Sequence, residues 1–336
     1  MAYLNLKLPL YWTRFRRRVR GRVAYPRSMA VIDGVATAYE TLTEDVGLVD
    51  RSERGKLALT GPEAKTFLNG QVTNDVEALQ PGGGCYAALL TNKGKMLGDL
   101  RVIDTGAELW LDTERVALQA LFDTVRRGTV GWQAELHKRT LQQAVLSLVG
   151  PRAAEAVGGP VGPEHANRAA RFGGAEALLI ATDAGVDVVC ATEDAAAVRA
   201  ALDVPEVSEA AAEVIRVEAG RPRYGIDLDE TTIPQEAGLN ERAVSFTKGC
   251  YVGQETVARL HYRGKPNRHL RGLRMSAPVP PQTPLMLGER EVGRLRSSVI
   301  SPRFGPIGLA LVRREAGPGD ELAAGEATAT VVELPF

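Results

Sequence analysis

The chain has 336 residues, long enough for two or three domains with cores of their own. Hydrophobic residues make up 44% and charged residues 24%, a soluble globular composition, and Lys plus Arg equals Asp plus Glu at 41 each. That balance argues against nucleic-acid and membrane partners, and the absence of any apolar run of about 18 residues excludes a transmembrane helix.

Residues 1 to 32 contain no acid and eight basic residues, including the run Arg14-Phe15-Arg16-Arg17-Arg18. Three readings compete: a transit peptide for the mitochondrial matrix, a nucleic-acid-binding arm, or translated upstream sequence with Met29 as the true start. The last is preferred, so residues 1–28 are read as a disordered basic extension or a misplaced start, and the expected location is the cytoplasm. Arg outnumbers Lys 33 to 8, as codon bias in a GC-rich genome produces.

Lys56 to Thr60 reads as a strand, and Gly61-Pro62 opens a helix to about Leu68, with Pro62 in its first turn. Asn74-Asp75 and Pro81-Gly82-Gly83-Gly84 are turn signals. Tyr86 to Leu90, Leu97 to Ile103 and Glu108 to Leu111 read as consecutive antiparallel strands. Arg115 to Arg127 carries apolar residues at helical spacing. The order then recurs: a strand at Leu146 to Val149, a helix opened by Gly150-Pro151, a hairpin from Leu178 to Ala191 around Asp183-Ala184-Gly185, and a helix from Glu193 to Leu202. Thr60-Gly61-Pro62-Glu63-Ala64 and Val149-Gly150-Pro151-Arg152-Ala153 look alike. They are read as marking a duplicated α+β unit, against coincidence of a common strand–turn–helix start. Val207, Ala211, Val214 and Val217 mark an amphipathic helix that Gly220 and Pro222 stop. After Pro266 come short strands with Pro-rich breaks, an all-β tail fit for a small barrel or sandwich.

The three cysteines, Cys85, Cys190 and Cys250, are far apart and odd in number. This argues against a disulfide framework and fits a reducing compartment. No CxxC pair, HExxH, phosphate loop or dinucleotide fingerprint is present, so no metal site is expected from the chain alone. The most informative segment is the octet Lys248-Gly-Cys250-Tyr251-Val-Gly-Gln254-Glu255. A lone thiol between glycines and near a cation suits reactivity or ligand contact, and a tight turn with a partly buried Cys is the plainer alternative. If Lys248 to Cys250 is extended, the two side chains share a face. If Gly253 to Leu260 is helical, Cys250 also lies near a helix N-terminus, and both effects favour the thiolate.

The segments Leu68 to Asp75, Tyr86 to Thr91, Gly94 to Val102 and Arg216 to Asp227, with the β tail, resemble the glycine-cleavage T-protein superfamily of folate-binding proteins. The octet looks like the KGCYxGQE signature of its YgfZ branch, folate-binding proteins of iron–sulfur cluster assembly or repair. The likeness spans roughly residues 35 to 336. It implies an α+β fold: two interleaved α+β units with antiparallel sheets over residues 29–264, and a small β-barrel over 265–336, around a central folate pocket.

The resemblance also implies tetrahydrofolate, or a one-carbon derivative of it, as cofactor, and iron–sulfur client or assembly proteins as partners. It makes Glu218 the candidate carboxylate for the adjacent N–H donors of the pterin edge. Tyr86 is a candidate to line the pocket, Arg223 to meet the folate glutamate tail, and Tyr251 and Gln254 to contact the ligand. Cys250, with Lys248 beside it, is the candidate chemical group. Three roles stand for the thiol: transient ligation of a cluster with a partner, attack on a folate-borne one-carbon unit, or redox exchange. T-proteins carry two adjacent aspartates where this chain reads Gly98-Asp99. With the first taken as the catalytic one, the working carboxylate is lost here and Asp99 points to the opposite face of the strand. The alternative function is folate-dependent aminomethyl transfer or demethylation of a small amine or RNA.

Overall fold

The computed structural model describes residues 27–336, with side chains from residue 34 onward. The proposed basic extension lies outside the described residues, apart from its last two, which belong to a helix. That helix, α1 (Arg27–Glu44), and strand β1 (Gly47–Asp50) precede a first unit of β2 (Gly55–Thr60), α2 (Ala64–Asn69), β3 (Gly84–Leu90), β4 (Met96–Asp104), β5 (Leu109–Thr113), α3 (Leu118–Gly128) and β6 (Glu135–Lys138). A second unit repeats the order with β7 (Gln143–Val149), α4 (Ala153–Ala156), β8 (Asn167–Phe172), β9 (Ala175–Ala181), β10 (Gly185–Ala191) and α5 (Ala195–Leu202).

Each unit holds a five-stranded antiparallel sheet, in the orders β3-β4-β5-β2-β6 and β8-β9-β10-β7-β1. The two match place by place, except that β1, from ahead of the first unit, fills the last position of the second sheet. The units are thereby interleaved. The two Gly-Pro turns occupy equivalent places. Gly61 and Gly150 have φ of +109° and +129°, and a Cβ on either would lie 2.3 Å from a backbone oxygen, of Gln133 and Asp45 respectively. Only glycine fits such a position. Pro62 lies in the turn, two residues before α2, rather than in the first helical turn.

Period-two alternation gives each sheet an outer apolar face for its helices and an inner face for the other sheet. Leu57, Leu89, Leu100 and Val102 pack outward with Phe67, Leu121 and Val125 of α2 and α3. Ile103, Trp110, Val145, Ile180 and Val189 join the two inner faces. Arg101 crosses between the sheets, donating to buried Asp112 of β5 and, at 2.6 Å, to Asp187 of β10.

Helix α6 (Glu209–Glu218) packs on α1 and on the C-terminal region; α7 (Asn240–Ala243) and α8 (Gln254–Arg263) follow. Strands β11 (Arg268–Met275), β12 (Pro284–Leu287), β13 (Arg290–Ser301), β14 (Gly305–Arg313), β15 (Glu321–Ala324) and β16 (Ala327–Val332) close into a barrel in the order β11-β14-β13-β12-β15-β16. Its outer residues Ile307 and Leu309 pack on Val217 of α6. Among the described residues no helix is long and apolar enough to cross a membrane.

Candidate ligand-binding site

A cavity of about 600 Å³ opens where the inner faces of both units meet α6 and the loop after it. Seven arginines and four acidic residues line it, so the wall is rich in fixed donors. The volume lies within the range of small-molecule and cofactor sites. The barrel contributes no lining residue and instead buttresses α6 from behind.

Asp99 and Tyr86 form the polar floor on the first unit. The Tyr86 hydroxyl donates to Asp99 Oδ2 at 2.6 Å, and the Arg242 guanidinium lies 5.5 Å over the Tyr86 ring. Burial pushes the Asp99 carboxyl up to about 6, with Glu114 adding to the rise, while the Tyr86 hydrogen bond and Arg54 oppose it. Burial and the Asp99 charge drive the Tyr86 phenol well above its ordinary value.

This geometry corrects the expectation at 98–99. Gly98 shares the outer face of β4 with Leu100 and Val102, and a Cβ there would lie 2.8 Å from the Ala117 side chain. A carboxylate at 98 would enter that packed layer. Asp99 does face away from position 98, as expected, but its face is the cavity face. The pocket therefore keeps a strand carboxylate.

Arg223 also lines the cavity, with its guanidinium engaged by acids: Glu209 at 2.6 Å, Glu213 at 3.4 Å and Glu114 at 3.5 Å. Glu218 does not line it. Its carboxylate accepts hydrogen bonds from Tyr39 of α1 at 2.9 Å and from Ser301 of β13 at 2.5 Å. Both oxygens are held at the junction of α1, α6 and the barrel, so the pterin role assigned to Glu218 does not fit its position. The carboxylates that do reach the cavity are Asp99, Glu114, Glu164 and Asp183. Asp183 stands at the β9–β10 turn, 2.7 Å from Arg221 and 3.5 Å from Arg242.

The octet lies outside the cavity wall. Lys248 Nζ donates to the carbonyls of Asn69, Val72 and Asn74 at 2.5, 2.9 and 2.7 Å, and lies 5.2 Å over the Tyr251 ring. Burial pushes its ammonium down to about 8, opposed by Asp75 and the Cys85 side. Residues 248–251 are not a strand, and the Lys248 charge acts on Cys85, whose thiol burial pushes up to about 12. The expected pairing of Lys248 with Cys250 on one face is therefore not formed. Cys250 is exposed. Tyr251 is buried among Ala88, Leu90, Met96 and Val257, and its hydroxyl has no hydrogen-bond partner among the described residues. The helix expected after Gly253 does form, with Gln254 as its first residue and Gly253 at φ +85° as its cap. Neither Tyr251 nor Gln254 reaches the cavity.

One relay joins the two places. Asn74, whose carbonyl binds Lys248, donates through Nδ2 to the carbonyls of Tyr86 at 2.8 Å and Arg242 at 3.2 Å.

Residues 5–248 match the GCVT N-terminal domain, and residues 268–336 match the glycine cleavage T-protein C-terminal barrel domain. The chain belongs to the glycine cleavage T-protein family. Its likeness to other members runs over most of its length. It is 29% identical to an aminomethyltransferase of Rubrobacter xylanophilus, covering 90% of this chain and 86% of that protein. It is 25% identical to a putative chloroplastic transferase of Arabidopsis thaliana, over 94% of this chain and 77% of the relative. The crystal structure of glycine cleavage system aminomethyltransferase T from Bartonella henselae superposes with a TM-score of 0.81 at 24% identity, covering 98% and 97% of the two chains. That likeness speaks for the T-protein fold.

Within this T-protein fold, sequence reasoning missed Asp183, His165 and Arg242 as cavity residues. Asp183 carried the one available signal, an acid in a hairpin turn. His165 and Arg242 sit in loops whose course only the tertiary structure fixes. Among the described residues no group of three His, Cys, Asp or Glu side chains is placed to hold a metal ion.

Proposed function

We propose that this T-protein family member binds tetrahydrofolate in the central cavity and supports the assembly or repair of iron–sulfur proteins, with Cys250 as its partner-facing thiol. The fit to a folate rests on the wall: a buried carboxyl–phenol pair, two tyrosines, Tyr86 and Tyr224, and flanking arginines. All four of Asp99, Asp183, Arg221 and Arg242 line the cavity; on this reading the two carboxylates accept pterin N–H groups and the two guanidinium groups meet anionic ones. When bound, a tetrahydrofolate supplies nitrogen atoms that carry a one-carbon unit.

The observation that carries the iron–sulfur reading is the position of Cys250. It is exposed on the octet and outside the cavity wall. A thiol so placed is open to a protein partner or a small thiol that completes a cluster's ligand set, and it is poorly placed to attack a unit carried in the cavity. The octet's likeness to the YgfZ signature points the same way. The expected partners are iron–sulfur clients or assembly proteins, in a reducing compartment such as the cytoplasm.

The test is complementation. In cells lacking this protein, Cys250→Ala is expected to leave iron–sulfur enzyme activity unrestored, while the purified variant folds and binds tetrahydrofolate like the wild type. Full complementation by Cys250→Ala rejects the role of the thiol.

A second reading, folate-dependent aminomethyl transfer or demethylation, is favoured by Asp99. A buried carboxyl raised to about 6 can exchange a proton with an amine at physiological pH. Methylene-tetrahydrofolate formation from a candidate amine, lost in Asp99→Asn, would support it.

A further inference from the structure

We infer that His165 is a ligand-contact residue of the cavity, presenting a neutral Nε2–H donor to an acceptor oxygen or nitrogen of the bound pterin. The inference deepens the folate reading and rests on it.

Three observations meet at this side chain. His165 lines the cavity and is 8% exposed, on the loop that enters β8. Its Nδ1 is buried and has no hydrogen-bond partner among the described residues. Its backbone is left-handed, with φ +71°, one of three non-glycine residues with a positive φ among the described residues. The conformation is pinned on both sides: His165 N donates to Ala181 O at 2.8 Å, Ala166 N to Pro163 O at 2.9 Å, and Ala181 N to Ala166 O at 2.8 Å. An uncommon backbone conformation fixed this firmly holds the residue's Cα–Cβ bond, and with it the base of the ring, at the cavity wall.

The tautomer follows from the surroundings. A buried donor without an acceptor is rarer than a buried acceptor without a donor, so the ring proton belongs on Nε2 and the lone pair on Nδ1. The nearest carboxylate to Nε2 is Glu164, at 3.7 Å, too long for a hydrogen bond, and its Oε1 already accepts from Arg242 at 2.5 Å. Nε2–H is thus left without an acceptor among the described residues.

The charge state is set by the groups around the ring: Glu164 and Asp183 on the acidic side, Arg101 and Arg242 on the basic side. Burial outweighs them and pushes the imidazole down to about 4. Across physiological pH the ring is an uncharged donor among charged neighbours. It suits a carbonyl or ring nitrogen, whereas the arginines suit carboxylates.

The test uses the full chain, tetrahydrofolate under anaerobic conditions, and His165→Asn. Asn tolerates left-handed backbone but cannot reach as far as Nε2. At pH 7 His165→Asn is expected to bind tetrahydrofolate about tenfold more weakly than wild type. Ring ¹⁵N spectra of the wild type supply the second measurement. They are expected to show the Nε2–H tautomer at pH 7 and a shift of that nitrogen on tetrahydrofolate addition. Wild type that binds, with an equal affinity for His165→Asn and an unmoved Nε2 resonance, overturns the assignment alone. Wild type that binds no tetrahydrofolate overturns the folate reading and this assignment with it.

Discussion

Tyr86 and Asp99 meet on the cavity face of the β3–β4 pair, the phenol donating to Asp99 Oδ2 at 2.6 Å. They are diagonal neighbours: Tyr86 pairs with Arg101, and Asp99 pairs with Ala88. Antiparallel pairing sends all four side chains to one face, and that face meets the second unit and the ligand cavity. The carboxylate belongs to the cavity because of its register on β4. A shift of one residue would send it into the helical layer that Gly98 faces.

The first prediction follows from the Asp99 carboxyl, raised to about 6 from 3.8. An acid whose folded pKa lies above its unfolded value binds its proton more tightly in the folded state. Stability therefore rises as pH falls from 6 towards 4, and above 6 the ionised carboxylate costs the fold about 3 kcal/mol at most. Asp99→Asn, which keeps an acceptor for Tyr86, is expected to be more stable than wild type at pH 7.5 by about 1–3 kcal/mol and to lose that advantage near pH 4.5. Urea unfolding of both proteins at the two pH values measures this. A gap that does not change with pH would count against the assignment of the raised carboxyl.

Glu218 is expected to act on stability and leave folate affinity alone. Glu218→Ala removes the acceptor of Tyr39 and Ser301 and unties α1 and the barrel from α6. The expected loss is about 1–3 kcal/mol of unfolding free energy, with an unchanged dissociation constant for tetrahydrofolate. A titration showing tenfold weaker binding at undiminished stability would return Glu218 to the ligand.

Much of the fold was legible because local signals and tertiary packing agree. β2, β3, β4, β5, β7, β10 and α6 have apolar residues at the right period and clear turn residues at their ends. What escaped was set by distant partners. β1 has four residues and completes a sheet whose other strands begin about a hundred residues later. β6 and β8 are polar edge strands, with little apolar alternation to read. α1 contains Gly34 and several β-branched residues, poor helix formers that its packing on α6 overrides. At the site, Tyr86 and Arg223 were legible as pocket residues through family likeness. Glu218 misled because a helix-terminal acid looks free in sequence, whereas its partners lie 179 and 83 residues away. Gly98-Asp99 misled because a two-residue motif does not say which face of a strand is the inner one.

The paired glycine turns give a stability prediction for each unit. Gly61→Ala and Gly150→Ala each place a methyl 2.3 Å from a carbonyl oxygen in left-handed backbone. Each is expected to cost at least about 1–2 kcal/mol, and more where the neighbouring backbone cannot shift. Chemical denaturation of the two variants measures it. Wild-type stability in either one would mean that its turn relaxes.

Within the octet, the two residues read together from sequence are expected to separate by mutation. Lys248→Met withdraws three donors from the carbonyls of Asn69, Val72 and Asn74 and loosens the loop whose Asn74 also holds the Tyr86 and Arg242 backbones. A loss of about 2–3 kcal/mol is expected, since buried acceptors are left without partners. Because that loop supports the cavity wall, tetrahydrofolate affinity is expected to fall as well. Cys250→Ala removes an exposed thiol, and its unfolding free energy is expected to stay within about 0.5 kcal/mol of wild type. The measurement is urea unfolding with a tetrahydrofolate titration on each variant. If Cys250→Ala were as destabilised as Lys248→Met, the thiol would be a structural residue, and a failed complementation by that variant would report misfolding in place of lost chemistry.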